Sequence, residues 1–219
     1  MSLKWFLFWS AVWTVVLNIP PGSKDIQVAY RLNFWHGVIS SILATLCVFG
    51  YTPESFTAMT TISYFFIDFV NILLNDFYFK VKSYQTPSAR KVEYVHHILC
   101  CSVGVASEFV AKKYSTFENN PFIKLMFAEL STPFLIGWRM YPEKTYLFYL
   151  FGVTFFAARI VYHGFIYIPE CIARCDKTIG YGFGVPYNLM NAFFCFMIVQ
   201  KTFRALKKGN GKKKDVKHD

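Results

Sequence analysis

The chain is 219 residues long, 54% hydrophobic, 20% aromatic and only 16% charged, too little charge to cover the surface of a soluble domain of this size. Its length suits one domain, and no linker-like stretch divides it. The net charge of +10 would suit a nucleic-acid binder, but eight of the 23 Lys and Arg crowd into the stretch from Lys201 to Lys217 and the rest punctuate apolar runs, which excludes nucleic acid as the expected partner and suits a membrane surface.

Seven segments are predicted to be membrane-crossing helices, each of which needs about 20 residues. They are 3–19, 30–51, 57–79, 93–111, 121–140, 144–168 and 179–201. The first is the weakest; no small-residue cleavage site follows its apolar run, so it reads as a retained helix rather than a signal peptide. Pro53 and Pro121 stand near helix starts, where a missing N–H does no harm. Pro142 and Pro169 are expected in connections, while Pro133 and Pro186 fall inside the fifth and seventh spans and should each open a local kink. The expectation is an all-α membrane protein of about seven transmembrane helices. Residues 1–29 hold the first helix and its connection, 30–202 the main helical domain, and 203–219 a basic, disordered cytoplasmic tail.

With seven crossings the connections alternate between two sides. The side of the C-terminus collects Lys24, Arg31, Lys80, Lys82, Arg90, Lys91, Arg139, Lys144 and the eight basic residues of the tail, against six on the other side: Lys4, Lys112, Lys113, Lys124, Arg174 and Lys177. The basic excess places the tail in the cytoplasm, where it would meet anionic lipid headgroups. Cys171 and Cys175 then fall in a lumenal connection, where a disulfide is compatible with the environment. Four other cysteines lie in spans, where Cys behaves as a small hydrophobe. A C-x3-C pair with no accompanying ligand pair does not indicate a metal site, and none is expected.

Ionisable groups at mid-membrane depth cost several kcal/mol unless paired or hydrated, so each points to a function. Span two carries Arg31 and His36. Span three carries Asp68 with Asn71 and Asn75 on one helical face, and span four opens on Glu93 followed by His96 and His97. Glu129, Ser131 and Thr132 precede Pro133 in span five, and Arg159 and His163 are four apart in span six. Lipid cannot accommodate these groups, so they should converge in the bundle as an internal network or as the lining of a polar pocket. Successive helical residues point about 100° apart, so one of His96 and His97 can face the pocket while the other orients it or packs outward. A histidine held by a carboxylate from Glu93, Asp68 or Glu129 could act as general base or nucleophile.

Arg31 and His36 in RLNFWH, Asp68 in FFIDFVNILL, His96 and His97 in YVHHI, Glu129 to Arg139 in FAELSTPFLIGWR, and Arg159 and His163 in AARIVYH follow one another across six helices. In order and spacing they resemble the TLC-domain family of membrane proteins over roughly residues 30–202, with the first helix outside the domain. ELSTPFL is similar to the small TLC-domain-only proteins of the transmembrane protein 56 type rather than to the ceramide synthases. In those enzymes paired histidines at the position of His96 and His97 carry acyl transfer. Their acidic HD-x-x-D cluster is replaced here by KLMFAELSTPFLIGWRMY, with one carboxylate. The resemblance implies six helices around a central cavity that accepts a lipid or acyl chain.

Three functional readings follow. The first is an integral membrane protein, in the endoplasmic reticulum, that binds or senses lipid in its bundle and affects lipid composition or trafficking, with no cofactor. The second is a histidine-dependent lipid N-acyltransferase, for which acyl-CoA would be the substrate. The third is an accessory subunit of a larger membrane complex with protein partners within the membrane, the mitochondrial inner membrane being the alternative compartment.

Overall fold

Nine consecutive buried residues, Thr57 to Phe65, run through the middle of the third helix of the computed structural model. Their sequence, TAMTTISYF, is rich in small and hydroxyl side chains, which let neighbouring helices approach closely and return their hydroxyls to backbone carbonyls, as Ser63 does to Met59. The structure describes residues 3–18, 25–80, 87–107, 121–174 and 177–214, without the side chains of 25–29, 88–89, 178–180, 183 and 204–214.

Among the described residues, seven helices account for 93% and there is no strand. They are α1 (Leu3–Leu17), α2 (Asp25–Val48), α3 (Glu54–Tyr78), α4 (Pro87–Ala106), α5 (121–140), α6 (Thr145–Arg174) and α7 (Lys177–Lys214). Two of them, α3 and α6, are long and apolar enough to cross a membrane. Pro53 caps the start of α3, while Pro87 and Pro121 open α4 and α5. Several bounds differ from the hydropathy reading. α2 and α4 begin at Asp25 and Pro87 instead of 30 and 93, because their first turns are polar yet helical. α7 continues to Lys214, through most of the stretch expected to be disordered, and its Lys, Arg and Ala are good helix formers. Pro169 lies within α6, not in a connection: it follows the switch from a π-helical run, Phe156–Tyr167, to the α-helical Ile168–Arg174, where a missing N–H costs least.

α3 is the hub, packed by α1, α2 and α4, while α2 also lies along α5, α5 along α6, and α6 along α7. α1 does not stand outside this bundle. Trp13 is fully buried, and the indole N–H groups of Trp9 and Trp13 donate to the Phe56 and Thr60 carbonyls of α3 at 3.1 and 2.8 Å, a four-residue step on both helices. Between α2 and α5 the approach is closer still: a Cβ on Gly37 would sit 2.8 Å from Pro133 Cδ.

Pro133 also explains the broken winding of α5. The proline ring removes one donor and collides with the carbonyl four residues back, so the helix tightens to 3-10 over Met126–Ser131 before resuming at Thr132–Met140. One carbonyl in this stretch and one just before it are taken up by α6: Ala128 O accepts from Arg159 Nε (3.1 Å) and Lys124 O from His163 Nε2 (3.1 Å). The tightened segment of one helix thereby holds Arg159 of the next.

Candidate polar site in the bundle

His36, Asp68, His97 and Glu129 occupy a common depth. Each is ten or eleven residues from the near end of its helix (Asp25, Tyr78, Pro87 and Met140), or about 15 Å in at 1.5 Å per residue. They come from four helices, and Arg159 of α6 joins them. All five are buried: His36 1%, Asp68 2%, His97 3%, Glu129 9% and Arg159 9% exposed.

Contacts link them into one line. His97 Nε2 lies 2.8 Å from Asp68 Oδ2. Tyr64, one turn before Asp68, donates to Asn33 Oδ1 and lies 3.5 Å from Asp68 Oδ2. The Tyr64 ring stacks on the His36 imidazole with centroids 3.5 Å apart and planes 7° from parallel. His36 Nδ1 is 3.8 Å from Glu129 Oε2, which also accepts from Thr132 Oγ1 at 2.7 Å. Glu129 Oε1 is 3.7 Å from Arg159 Nη2. Ser40 and Thr61 extend the line on the far side of His36, their hydroxyls 2.9 Å apart, with Thr61 Oγ1 3.4 Å from His36 Nε2.

The adjacent histidines divide their roles. His97 Nδ1 donates to the Glu93 carbonyl (2.8 Å) while Nε2 faces Asp68, so both nitrogens are engaged and the pair shares its protons internally. His96 is turned away, its ring 5.7 Å from that of His97 and 87° to it. Its nitrogens meet only the Cys100 sulfur, at 3.6 and 3.8 Å, among the described residues. It lies within electrostatic reach of Glu129, Arg159 and His36. Of the two, His96 retains a nitrogen for an incoming group.

Of the three carboxylates that could hold a histidine, Glu93, Asp68 and Glu129, it is Asp68 that meets His97, and the Glu93 carboxylate is engaged elsewhere. Arg90 Nη1 takes that carboxylate at 2.8 Å, and the same guanidinium grips Asp76 twice, at 2.9 Å from both Nε and Nη2. Tyr94 donates to Asp76 at 2.7 Å. A clamp between the end of α3 and the start of α4 results, and Glu93 hydrogen-bonds His97 through its backbone carbonyl. Asn71 accepts from Asn75 Nδ2 (3.3 Å) below Asp68, and Ser131 returns its hydroxyl to Ala128 O (3.3 Å). Arg31 is half-buried on α2, a turn and a half before His36. Cys171 is half-buried, and its expected partner Cys175 lies outside the described residues.

His163 forms a second level one turn from Arg159. Its Nε2 binds Lys124 O, and Tyr187 of α7 meets its Nδ1 at 2.9 Å. Tyr64, Thr61, Tyr187 and Asn191 are the members that a search for ionisable residues misses. A signal existed on α3, where Thr57, Thr61, Tyr64 and Asp68 form a polar stripe at helical spacing. Asn191 was visible as an amide in the middle of an apolar span.

Set against protein-family models, curated proteins and solved structures, the chain matches none of them.

Proposed function

We propose that this chain is a multi-span membrane protein of TLC-domain type that holds a lipid by its polar group in the layer formed by His36, Asp68, His96, His97, Glu129 and Arg159. One observation carries the reading. Five ionisable side chains from five helices meet in a single buried layer, while large apolar residues such as Phe165 (75% exposed), Val153 (67%) and Leu189 (66%) face outward. Water would demand the opposite arrangement, and hydrocarbon demands this one. The resemblance of the ordered motifs to the TLC family supports the same fold and the same ligand class. The basic residues of α7 suit a cytoplasmic face with anionic headgroups, and the endoplasmic reticulum is the compartment we assign.

The test is retention. The protein is extracted from membranes in mild detergent and weighed by native mass spectrometry. One lipid should remain bound per chain and leave when Arg159 and Glu129 are replaced together by Leu and Gln. A chain that carries no lipid beyond the annular background refutes the reading.

An acyl-transfer reading has one point in its favour: the His96 imidazole meets only the Cys100 sulfur among the described residues and lies within electrostatic reach of Glu129 and Arg159. It makes His96 rather than His97 the base. Acyl-CoA turnover by the purified protein that survives His96→Ala would refute it.

A further inference from the structure

Three helices advance together from the level of His163. Lys124, His163 and Tyr187 are joined there by hydrogen bonds. Four residues along each helix lie Ala128, Arg159 and Asn191, the first two joined in turn by the Arg159 Nε bond to Ala128 O. Asn191 is therefore set at the depth of Arg159 and Glu129. It is 1% exposed, and neither its Oδ1 nor its Nδ2 closes a hydrogen bond among the described residues. Tyr187, one turn before it on α7, comes near enough to interact with the Asn191 amide without closing a hydrogen bond of full geometry, and lies within electrostatic reach of Arg159, Glu129 and Cys100.

An unpaired amide in such a place costs about 1–3 kcal/mol, and it does not stand alone. Arg159 has five N–H donors; Nε is used on Ala128 O, and the guanidinium otherwise faces Glu129 at 3.7 Å, beyond hydrogen-bonding distance. His96 has no oxygen partner among the described residues. One stratum of the bundle thus holds an amide donor, an amide acceptor, guanidinium donors and an imidazole, all with capacity to spare.

Charge decides what fills that capacity. Glu129 is balanced by Arg159, and Asp68 by His97, each pair made and buried within the layer. A ligand bearing a net charge would bring an uncompensated ion into a medium of low dielectric or split one of these pairs, at several kcal/mol either way. A hydroxyl or secondary amide, which donates and accepts at once, matches Asn191 atom for atom and disturbs neither pair.

We infer that this stratum seats an uncharged lipid headgroup bearing a free hydroxyl or an N–H amide, with Asn191 as its main hydrogen-bonding partner. The inference rests on the lipid-holding reading above and narrows its ligand. The full-length protein is placed in phosphatidylcholine nanodiscs doped with diacylglycerol, an N-acylethanolamine or phosphatidic acid of matched acyl chains. Retention is read by native mass spectrometry and stability by thermal denaturation. Diacylglycerol and the N-acylethanolamine should be retained about tenfold over phosphatidic acid, and Asn191→Leu should lower their retention about tenfold, the worth of one or two hydrogen bonds. The lipid-free variant should melt no lower than the wild type, since the substitution removes an unpaired polar group. Preference for phosphatidic acid, or full retention of the uncharged probes by Asn191→Leu, overturns the inference while leaving a lipid-holding bundle. Should the variant fail to fold, the preference of the wild type alone decides. Retention of none of the three probes above the phosphatidylcholine background overturns the lipid-holding reading itself.

Discussion

Asp68 is the group on which the fold of the polar layer depends most directly. It is 2% exposed, accepts from His97 Nε2 at 2.8 Å and lies 3.5 Å from the Tyr64 hydroxyl. Asp68→Asn keeps the shape and replaces a charge-assisted bond by a neutral one, at a cost of about 1–2 kcal/mol. Asp68→Ala also strands His97, whose other nitrogen is committed to the Glu93 carbonyl, and removing one partner of a buried pair costs about 3–5 kcal/mol. Tyr64 limits the damage by keeping Asn33 as its acceptor. For a chain of this length those values correspond to a fall in melting temperature of about 6–20 °C for the alanine variant. Thermal denaturation in detergent, followed by tryptophan fluorescence, measures it directly, because Trp13 packs edge-on against both His36 and Tyr64. A double-mutant cycle isolates the pair: Asp68→Ala with His97→Ala should cost less than the sum of the two single changes by about 2–3 kcal/mol. Strict additivity, or an alanine variant within about 1 kcal/mol of the wild type, would show that the two groups do not act as the buried pair their geometry describes.

Three further outcomes can be checked independently. Gly37→Ala should destabilise by about 1–3 kcal/mol, since its Cβ would meet the rigid Pro133 ring at 2.8 Å, whereas Gly152→Ala, with nothing within 4 Å, should gain up to about 1 kcal/mol in the same melting assay. His97→Ala should lower stability by about 2–4 kcal/mol, while His96→Ala, whose one hydrogen-bond partner among the described residues is Cys100, should stay within about 1 kcal/mol of wild type. A glycosylation acceptor engineered beyond Lys214 should remain unmodified in cells, and one placed between the end of α4 and the start of α5 should be modified; the reverse pattern would invert the orientation drawn from the basic residues.

All seven helices were legible as apolar runs, because an apolar stretch of about 20 residues is a coarse and strong signal. Their ends were not, because hydropathy trims polar turns that are nonetheless helical, as at Asp25 and Pro87. Within the site, the rule that ionisable groups turn inward identified His36, Asp68, His97, Glu129 and Arg159. It left three carboxylates, Glu93, Asp68 and Glu129, open as the partner of a histidine, and spacing along one helix could not show that Asp68 takes His97 while Glu93 turns to Arg90. The competing interaction came from α3, whose Asp76 draws Arg90 into place beside Glu93. Contacts between helices are set by tertiary packing, and a single chain read residue by residue contains no measure of it. The uncharged members, Tyr64, Thr61 and Asn191, were passed over because hydroxyls and amides in apolar spans are common enough to seem ordinary.

The two indole bonds that fasten α1 to α3 have a consequence in time. Each spans 47 residues of chain. A ribosome adding about 5–20 residues per second leaves an interval of roughly 2–9 s between the appearance of an indole and that of its acceptor. Throughout that interval the two indole N–H groups lack the α3 carbonyls they bind in the folded bundle. The fastening of the first helix is therefore an event belonging to the third.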